Sequence, residues 1–141
     1  MRYTGTRVQF GRTIASFQAV QHRLAEMHVL VESARSLSYR AASVAAGVLS
    51  AGPAGSGSAV PGGRGASARA AELPLLAAAA KAYCSQALAT VAAEMIQLHG
   101  AIGITWEHDA HRYFKRAHSS GQLFGPPADH LARIASAVID G

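Results

Sequence analysis

Cysteine and aromatic residues are scarce in this sequence of 141 residues, which contains one cysteine and 6% aromatic residues. The single cysteine, Cys84, excludes a disulfide bond within the chain and is typical of proteins from a reducing compartment. It stands in an alanine-rich stretch without a neighbour that would favour a thiolate. We therefore expect Cys84 to be a small packed residue rather than a nucleophile.

The sequence also lacks blocks of one charge and uninterrupted apolar runs. Its formal net charge is +5, but the arginines are distributed along the chain and only Lys115 and Arg116 form an adjacent basic pair. This spread is typical of a solvated surface, so we expect no nucleic-acid partner. The most apolar stretch, Leu73–Ile96, is interrupted by Lys81 and Glu94 and predicts a packed helix rather than a membrane span. No apolar run follows the first residues, so we expect no signal peptide and a cytoplasmic location.

Alanine is abundant and half of the residues are apolar, which favours an all-α fold because alanine is the best helix former. Apolar residues recur every three or four positions after Thr13 and predict a helix from Thr13, as its N-cap, to about Leu49. Its predicted buried face comprises Ile14, Phe17, Leu24, Met27 or His28, Val31, Ala34 and Leu37. The polar residues Met1–Arg12 are predicted to form a lead-in loop.

Residues 52–68 are rich in glycine, proline and serine and predict a flexible linker, although a recognition loop can have the same composition. Arg69–His99 is predicted to form a second long helix, with Pro74 in its first turn. The predicted buried side of this helix comprises Leu76, Tyr83, Val91, Met95 and Ile96. Asp109–Ser119 and Ala128–Ile139 predict two short helices, and no strand pattern is visible. The sequence therefore predicts one domain over residues 1–141, an all-α antiparallel helical bundle.

Two segments have residues that suit contact with an anionic or planar ligand. Arg7 precedes a helix beside Gly11, and Gln18 follows, so a guanidinium could hold two phosphate oxygens near an unobstructed backbone. In Gln97–Gly103 a predicted helix end meets two glycines, which would expose backbone groups beside the Gln97 amide. Taken separately, the two segments are equally consistent with a surface arginine and an ordinary helix C-terminus.

The histidines offer little support for a metal site or a hydrolase. His108 and His111 lie one helical turn apart with Asp109 between them, but no cysteine cluster or His-Glu-x-x-His pattern accompanies them. A helix that starts with polar side chains accounts for His108, Asp109 and His111 without a metal, so we expect no metal ion to be bound. No serine, histidine and acid arrangement is visible, and the glycine-rich linker lacks the Gly-Lys-Ser/Thr ending of a phosphate-binding loop.

Together, the two candidate segments resemble the acyl-CoA dehydrogenase family. The likeness begins at Arg7–Gly11 and Phe17–Gln18, and it continues through Leu24–Met27. It resumes in the same order at Ala80–Ala82, Glu94–Gly103 and Tyr113–Ala117, and it covers nearly the whole chain apart from the linker. A further segment, Thr105–His111, looks most similar to actinobacterial members that act on steroid or other bulky acyl-CoA esters.

The resemblance implies a C-terminal helical domain of an enzyme that oxidises an acyl-CoA thioester between its α and β carbons. In such enzymes a carboxylate removes the α proton while hydride passes to the flavin. They are usually dimers or tetramers in which FAD lies between two subunits. The partners implied are therefore other acyl-CoA dehydrogenase subunits, and acyl-CoA binds only in the complete enzyme.

The resemblance also implies which residues contact FAD. Arg7 matches an arginine that reaches the FAD pyrophosphate of a neighbouring subunit, and Gln9, Phe10 and Gln18 match residues beside the same nucleotide. Gln97–Ala101 matches the segment around the adenosine half, although Ala101 replaces a common glycine. The implied cofactor-binding residues are Arg7, Gln9, Phe10, Gln18, Gln97, Leu98, His99, Gly100 and Ala101.

The sequence departs from the family where the catalytic base is expected. The common glutamate lies in a Tyr-Glu-Gly-Thr turn, which here corresponds to Leu123–Pro126, so that Phe124 occupies the base position. A phenyl ring cannot accept a proton, and we therefore expect no catalytic residue in this chain. Relative to the family, the first bundle helix and the middle domain that covers the flavin are missing from the sequence, which predicts an apolar groove along the two long helices.

Three functions remain open at this stage. The first is a FAD-binding, oligomer-forming domain of an acyl-CoA dehydrogenase that is not catalytic alone. The second is a helical interaction module, or a decayed fragment, that no longer binds flavin. The third is a small independent enzyme, which the sequence disfavours because it contains no complete catalytic arrangement.

Overall fold

A computed structural model describes residues 2–50 and 63–139, and it confirms the predicted all-α bundle. In this described part of the chain, five α-helices carry the fold, with a small two-stranded hairpin near the N-terminus. In chain order the elements are α1 (Arg2–Thr6), β1 (Val8–Gln9), β2 (Arg12–Thr13), a 3-10 helix (Ile14–Ser16), α2 (Gln18–Ser50), α3 (Gly63–His99), a second 3-10 helix (Gly100–Ile104), α4 (Ala110–Gln122) and α5 (Pro127–Ile139).

The two long helices, α2 and α3, run antiparallel. Arg40 pairs with Glu72 at 2.8 Å, and Arg23 pairs with Glu94 at 3.2 Å at the other end of the bundle. Because the residue number falls along α2 as it rises along α3, the helices point in opposite directions. On its other sides α3 packs against α4 and α5, so it is the central helix of the bundle. The Lys81 ammonium ties α3 to α4 by donating to the carbonyl oxygen of Gly121 at 3.0 Å.

The N-terminal segment was predicted as a loop without strands, and that prediction is wrong. Arg2–Thr6 is helical, and Val8–Gln9 pairs with Arg12–Thr13 as an antiparallel hairpin. Phe10 and Gly11 connect the strands with φ values of 53° and 78°. Two consecutive positive φ values define the turn that best matches the twist of a tight hairpin.

The predicted helix starts also require correction. Thr13 precedes only a short 3-10 helix, and its side chain makes no capping hydrogen bond. Phe17 is extended, and α2 begins at Gln18. Helix α3 begins at Gly63, so residues 63–68 of the predicted linker are helical, while residues 52–62 lie outside the described residues. Pro74 therefore lies inside α3 rather than in its first turn.

The later helices agree closely with the predictions. Helix α4 begins one residue after Asp109 and continues to Gln122, three residues beyond the predicted end. Helix α5 covers Pro127–Ile139, against the predicted Ala128–Ile139. The break after His99 is also present, because Gly100 has a φ of 64° and the chain continues as a 3-10 helix.

Small side chains form the core. The buried apolar residues among those described are Val44, Ala78, Ala82, Ala87, Ala92, Ala110 and Ala117. The large residues predicted to be buried on α2 are at most half-buried, and Val31 is 40% exposed. Those predicted on α3 are likewise half-buried. Because alanine is small, the helix backbones can approach one another closely. The larger apolar side chains lie at the edges of the helix–helix contacts, where they are half-buried or exposed.

Helix α3 also has the length and composition that a membrane span requires. The segment Ser67–Ile104 is long and apolar enough to pass that test. One such helix is weak evidence for a span, since the mostly buried core helix of a soluble protein has the same length and composition. In α3, which packs against α2, α4 and α5, 17% of this apolar window is buried.

Replacing Gly103 with alanine is expected to destabilise the bundle by about 1–3 kcal/mol, because the added methyl group has no space. Its Cβ would lie 3.0 Å from the Cβ of His99 and 3.1 Å from the carbonyl oxygen of Ile96. Gly121→Ala is the matched control, since it adds a methyl group to a buried glycine of α4 with no atom within 4 Å. That variant should gain up to about 1 kcal/mol from helix propensity. Urea unfolding followed by circular dichroism measures both, and equal stabilities would contradict the packing argument.

Candidate functional site

The hairpin presents Arg7 to solvent from a well-held backbone. The Arg7 amide donates to the carbonyl oxygen of Tyr3 at 2.9 Å, and the Arg7 carbonyl accepts from the amide of Ile14 at 2.9 Å. Within residues 2–50 and 63–139, no carboxylate lies within ion-pair distance of its guanidinium. The side chain is exposed and is therefore free to bind an anion.

The two other predicted residues of the hairpin are also exposed. Gln9 donates from its side-chain amide to the carbonyl oxygen of Val8 at 2.8 Å. Phe10 is 91% exposed and touches Phe17 with one ring edge, at a centroid distance of 6.1 Å. An aromatic ring held outward at the tip of a tight turn leaves a large apolar surface uncovered.

Tyr3 joins this N-terminal segment to the end of α3. Its ring stacks on His99 with centroids 4.4 Å apart, and its hydroxyl donates to the carbonyl oxygen of His99 at 3.4 Å. His108 also packs against His99, with centroids 4.4 Å apart, and its ring meets Tyr3 edge-on at 6.4 Å. The segments that carry Arg7 and His99 therefore lie at the same end of the bundle.

The predicted segment Gln97–Ala101 forms that end. Gln97, Gly100 and Ala101 are exposed, whereas Leu98 and His99 are half-buried. His99 donates from Nδ1 to the carbonyl oxygen of Met95 at 2.7 Å, which fixes the orientation of its ring. The antiparallel pairing of α2 with α3 places exposed Gln18, the first residue of α2, at the same end.

A cavity of about 500 Å³ lies between the end of α3 and α4. Of its lining residues, Gln97 alone was predicted to bind a ligand. The lining consists of Ala93, Ile96, Gln97, Ile104, Trp106, His111, Phe114 and Lys115. Trp106 and Lys115 were missed because their proximity to Gln97 depends on how α4 packs, although Trp106 is the only tryptophan of the chain.

The histidines around this cavity support the start of α4. The amide of Ala110 donates to Nδ1 of His108 at 3.1 Å, and Nδ1 of His111 donates to the carbonyl oxygen of His108 at 2.8 Å. Asp109 pairs with Arg112 at 3.2 Å. In the described part of the chain, no three histidine, cysteine or acidic side chains are grouped so as to hold a metal ion.

The turn between α4 and α5 holds Phe124 in an unusual conformation. Its φ is 61°, a region that bulky residues rarely occupy, and the side chain is 92% exposed. His130 is buried, and its Nε2 donates to the Phe124 carbonyl oxygen at 3.0 Å, which holds the turn. The residue that the sequence aligns with a catalytic base is thus an outward-facing phenyl ring, which has no proton acceptor.

Cys84 is placed as predicted for a packed residue. Its thiol donates weakly to the carbonyl oxygen of Ala34 across the contact between α3 and α2, at 3.5 Å. Burial raises the pKa of the Cys84 thiol above its ordinary value. A raised pKa favours the protonated thiol at neutral pH and therefore disfavours a nucleophilic role.

Comparison with known proteins gives one consistent match. The profile of the acyl-CoA dehydrogenase C-terminal domain matches residues 1–139. The chain is 43% identical over 138 residues to the acyl-CoA dehydrogenase IpdE2 of Mycobacterium tuberculosis. The match covers 98% of this chain and 35% of that protein. It is 40% identical to IpdE2 of Mycolicibacterium smegmatis, covering 96% of this chain and 35% of the relative. The chain therefore spans about a third of the length of these relatives.

Solved structures share the fold. Butyryl-CoA dehydrogenase from Megasphaera elsdenii matches with a TM-score of 0.77 and 25% identity, over 98% of this chain and 30% of that one. A structure described as a FAD-dependent dehydrogenase matches with a TM-score of 0.76 and 28% identity, over 98% of this chain and 31% of that one. Each neighbour is a longer chain, and the present fold corresponds to less than a third of it.

Proposed function

Since this chain belongs to the acyl-CoA dehydrogenase family, as its C-terminal domain, we propose that it holds FAD at an interface with another dehydrogenase subunit. The observation that carries this proposal is the grouping of Arg7 and Gln97–Ala101 at one end of the bundle. Arg7, Gln97, Gly100 and Ala101 are exposed there, and the contact between Tyr3 and His99 joins the two segments. A cofactor shared between subunits needs such an open, pre-shaped half-site.

The residues present fit two parts of FAD, with Arg7 at the diphosphate and Gln97–Ala101 beside the adenosine half. The Arg7 guanidinium has five N–H donors and can bind two phosphate oxygens at once. Gly100, at a φ of 64°, leaves backbone groups unobstructed for a ligand that approaches closely. We assign Gln9, Phe10, Gln18, Leu98, His99 and Ala101 to the same half-site, with Phe10 covered by the partner or the cofactor. Bound FAD would supply the hydride acceptor of the reaction.

The complete enzyme would oxidise an acyl-CoA thioester between its α and β carbons, and this chain would contribute cofactor binding rather than the base. Phe124 supports that division, because its ring faces outward at the position aligned with the base. The catalytic carboxylate would then come from the partner subunit. We assign a bulky or steroid-derived acyl group as the substrate because of the segment Thr105–His111, and we place the protein in the cytoplasm.

Visible absorption spectroscopy tests this function. The chain is purified alone, and also after co-expression with a full-length dehydrogenase subunit from the same source. We expect flavin bands in the co-purified complex and a ratio near one FAD per interface. Co-purification without flavin would overturn the proposal and favour the second function below. Absence of both flavin and a bound partner would overturn both.

The second candidate function is a helical interaction module without flavin. It is favoured by the large apolar side chains that the long helices expose to solvent. Among them are Val29, Tyr39, Leu49, Leu75 and Leu88. Large apolar side chains exposed in this number are typical of helices that contact another protein. The two functions share the partner and differ only in the cofactor, so the spectrum separates them.

A further inference from the structure

Three aromatic rings from three segments of the chain meet at the end of the bundle that carries Arg7. Tyr3 of α1 stacks on His99 of α3, with centroids 4.4 Å apart. His108, two residues before α4, lies 4.4 Å from His99 and 6.4 Å from Tyr3. All three side chains are half-buried. These ring contacts join the N-terminal segment to α3 and to the start of α4.

The hydrogen bond that His108 accepts requires its ring to be neutral. Its Nδ1 lies 3.1 Å from the backbone amide of Ala110, and an amide can only donate, so this nitrogen carries no proton. Ala110 is the first residue of α4 and is 1% exposed, and the side chain of Asp109 makes no capping hydrogen bond. The neutral imidazole therefore satisfies a helix amide that would otherwise be buried without a partner.

A proton on Nδ1 of His108 would remove this hydrogen bond and set a positive charge beside His99. His99 donates from its own Nδ1 to the carbonyl oxygen of Met95 at 2.7 Å, and it can do so whether neutral or charged. Two charged imidazoles at this separation would repel each other. Histidine ordinarily changes its charge between about pH 5 and 8. The closed stack therefore binds fewer protons than separated rings do, so it is favoured at neutral pH and weakened as the pH falls.

The charged groups around the rings do not offset such a proton. In the part of the chain that the structure describes, neither His99 nor His108 forms an ion pair. The acids Glu94 and Asp109 are each already paired with an arginine. The other ionisable side chains in residues 2–7 and 107–115 are Arg2, Arg7, Glu107, His111, Tyr113 and Lys115. Cations outnumber the single acid of that group, which adds to the repulsion.

We propose that Tyr3, His99 and His108 form a proton-sensitive latch, which holds the N-terminal segment against α3 at neutral pH and releases it as the pH falls. The Arg7 amide donates to the carbonyl oxygen of Tyr3, so release of Tyr3 moves Arg7 away from the end of α3. Two-residue strands do not persist without support from the rest of a fold. The latch would thereby regulate the affinity of the FAD half-site, a consequence that rests on the proposed function.

Amide exchange measured by NMR at several pH values tests the latch on the full chain without a ligand. The probes are the amides of Arg7 and Ile14, which hold the N-terminal segment, and the amide of Ala82 inside α3 is the reference. Each rate is divided by the intrinsic rate at the same pH, so the ratio reports opening alone. Between about pH 7.5 and about pH 5.5, we expect the protection of both probes to fall roughly tenfold, because the closed state excludes a proton. The reference amide should stay protected.

Variants of the three rings, with a matched control, assign the effect. His108→Asn keeps an acceptor for the Ala110 amide but does not titrate, so the protection of the probes should no longer depend on pH. His118→Asn changes an exposed histidine of α4 and should keep the full response. Tyr3→Leu should lower the protection of the probes at every pH. Tyr3→Phe retains an aromatic ring and should respond like the parent chain.

The outcomes separate the latch from the proposed function. Constant protection of Arg7 and Ile14 across the pH range, or a tenfold fall that persists in His108→Asn, would overturn the latch. A parallel loss at Ala82 would do the same, because the whole bundle would then be loosening. If the latch responds while the co-purified complex contains no flavin, the latch stands and the proposed function fails. If the complex holds FAD and the protection is constant, the proposed function stands without the latch.

Discussion

Arg7→Ala is expected to lower the affinity of the assembled protein for FAD by roughly ten- to a hundredfold, the loss of charge-assisted hydrogen bonds to phosphate. The helical content and the assembly should not change, because the side chain is exposed and in no ion pair in the described chain. The measurement is flavin per subunit after gel filtration, from the visible spectrum and the protein concentration.

Two further variants make this result specific. Arg2→Ala removes an exposed arginine of α1 in the same segment and should retain the flavin content of the parent chain. Arg7→Lys keeps the charge but loses the planar fork of donors, so an intermediate affinity is expected. Full flavin retention in Arg7→Ala with an intact complex would show that this arginine does not bind the cofactor.

Ala82→Leu is expected to destabilise the bundle by about 1–3 kcal/mol, because the added side-chain carbons have no room between the closely packed helices. Ala82 is 2% exposed on the central helix α3. The loss corresponds to a melting temperature lower by roughly 3–10 °C for a domain of this size. Thermal and urea unfolding, followed by circular dichroism, measure the change.

The matched control is Ala77→Leu on the same helix, since Ala77 is exposed. Leucine and alanine differ little in helix propensity, so this control should change the stability by less than about 0.5 kcal/mol. If both variants had the same stability, the alanine contacts would not be as tight as the burial of Ala82 implies. A larger loss for Ala82→Leu alone would confirm that small residues set the spacing of the helices.

The two long helices, α2 and α3, and the two short helices, α4 and α5, were predictable from the sequence. In each of them the periodic spacing of apolar residues extends over many positions. The N-terminal segment was not, since a five-residue helix and strands of two residues are too short to leave a period. The start of α3 at Gly63 was missed because glycine and serine are poor helix formers, and composition alone favoured a linker.

The core was mispredicted for a different reason. A pattern search weights large apolar side chains such as Leu24 and Val31, whereas the closest helix contacts here involve alanine. Alanine occurs on every side of α3, so its position in the sequence does not identify the buried face. Which alanines are buried depends on how the helices pack against one another.

The candidate site was only partly accessible from the sequence. Arg7 and Gln97 belong to recognisable segments, and their roles as FAD contacts stay predictions. Three residues that line the cavity with Gln97 come from α4, more than ten residues further on: His111, Phe114 and Lys115. Their proximity depends on the angle at which α4 returns along α3, and no local pattern encodes that angle.

The contact between Tyr3 and His99 has a consequence for the dynamics of the chain. It joins residues that are 96 positions apart, so its formation must wait until the two long helices have come together. A contact of this kind forms late in folding and opens early, since two ring contacts and one hydrogen bond of Tyr3 hold it. Amide hydrogens of the hairpin should therefore exchange with solvent well before those of α3. The N-terminal segment that carries Arg7 would then open and close independently of α3. Binding of a ligand by Arg7 would compete with this local opening.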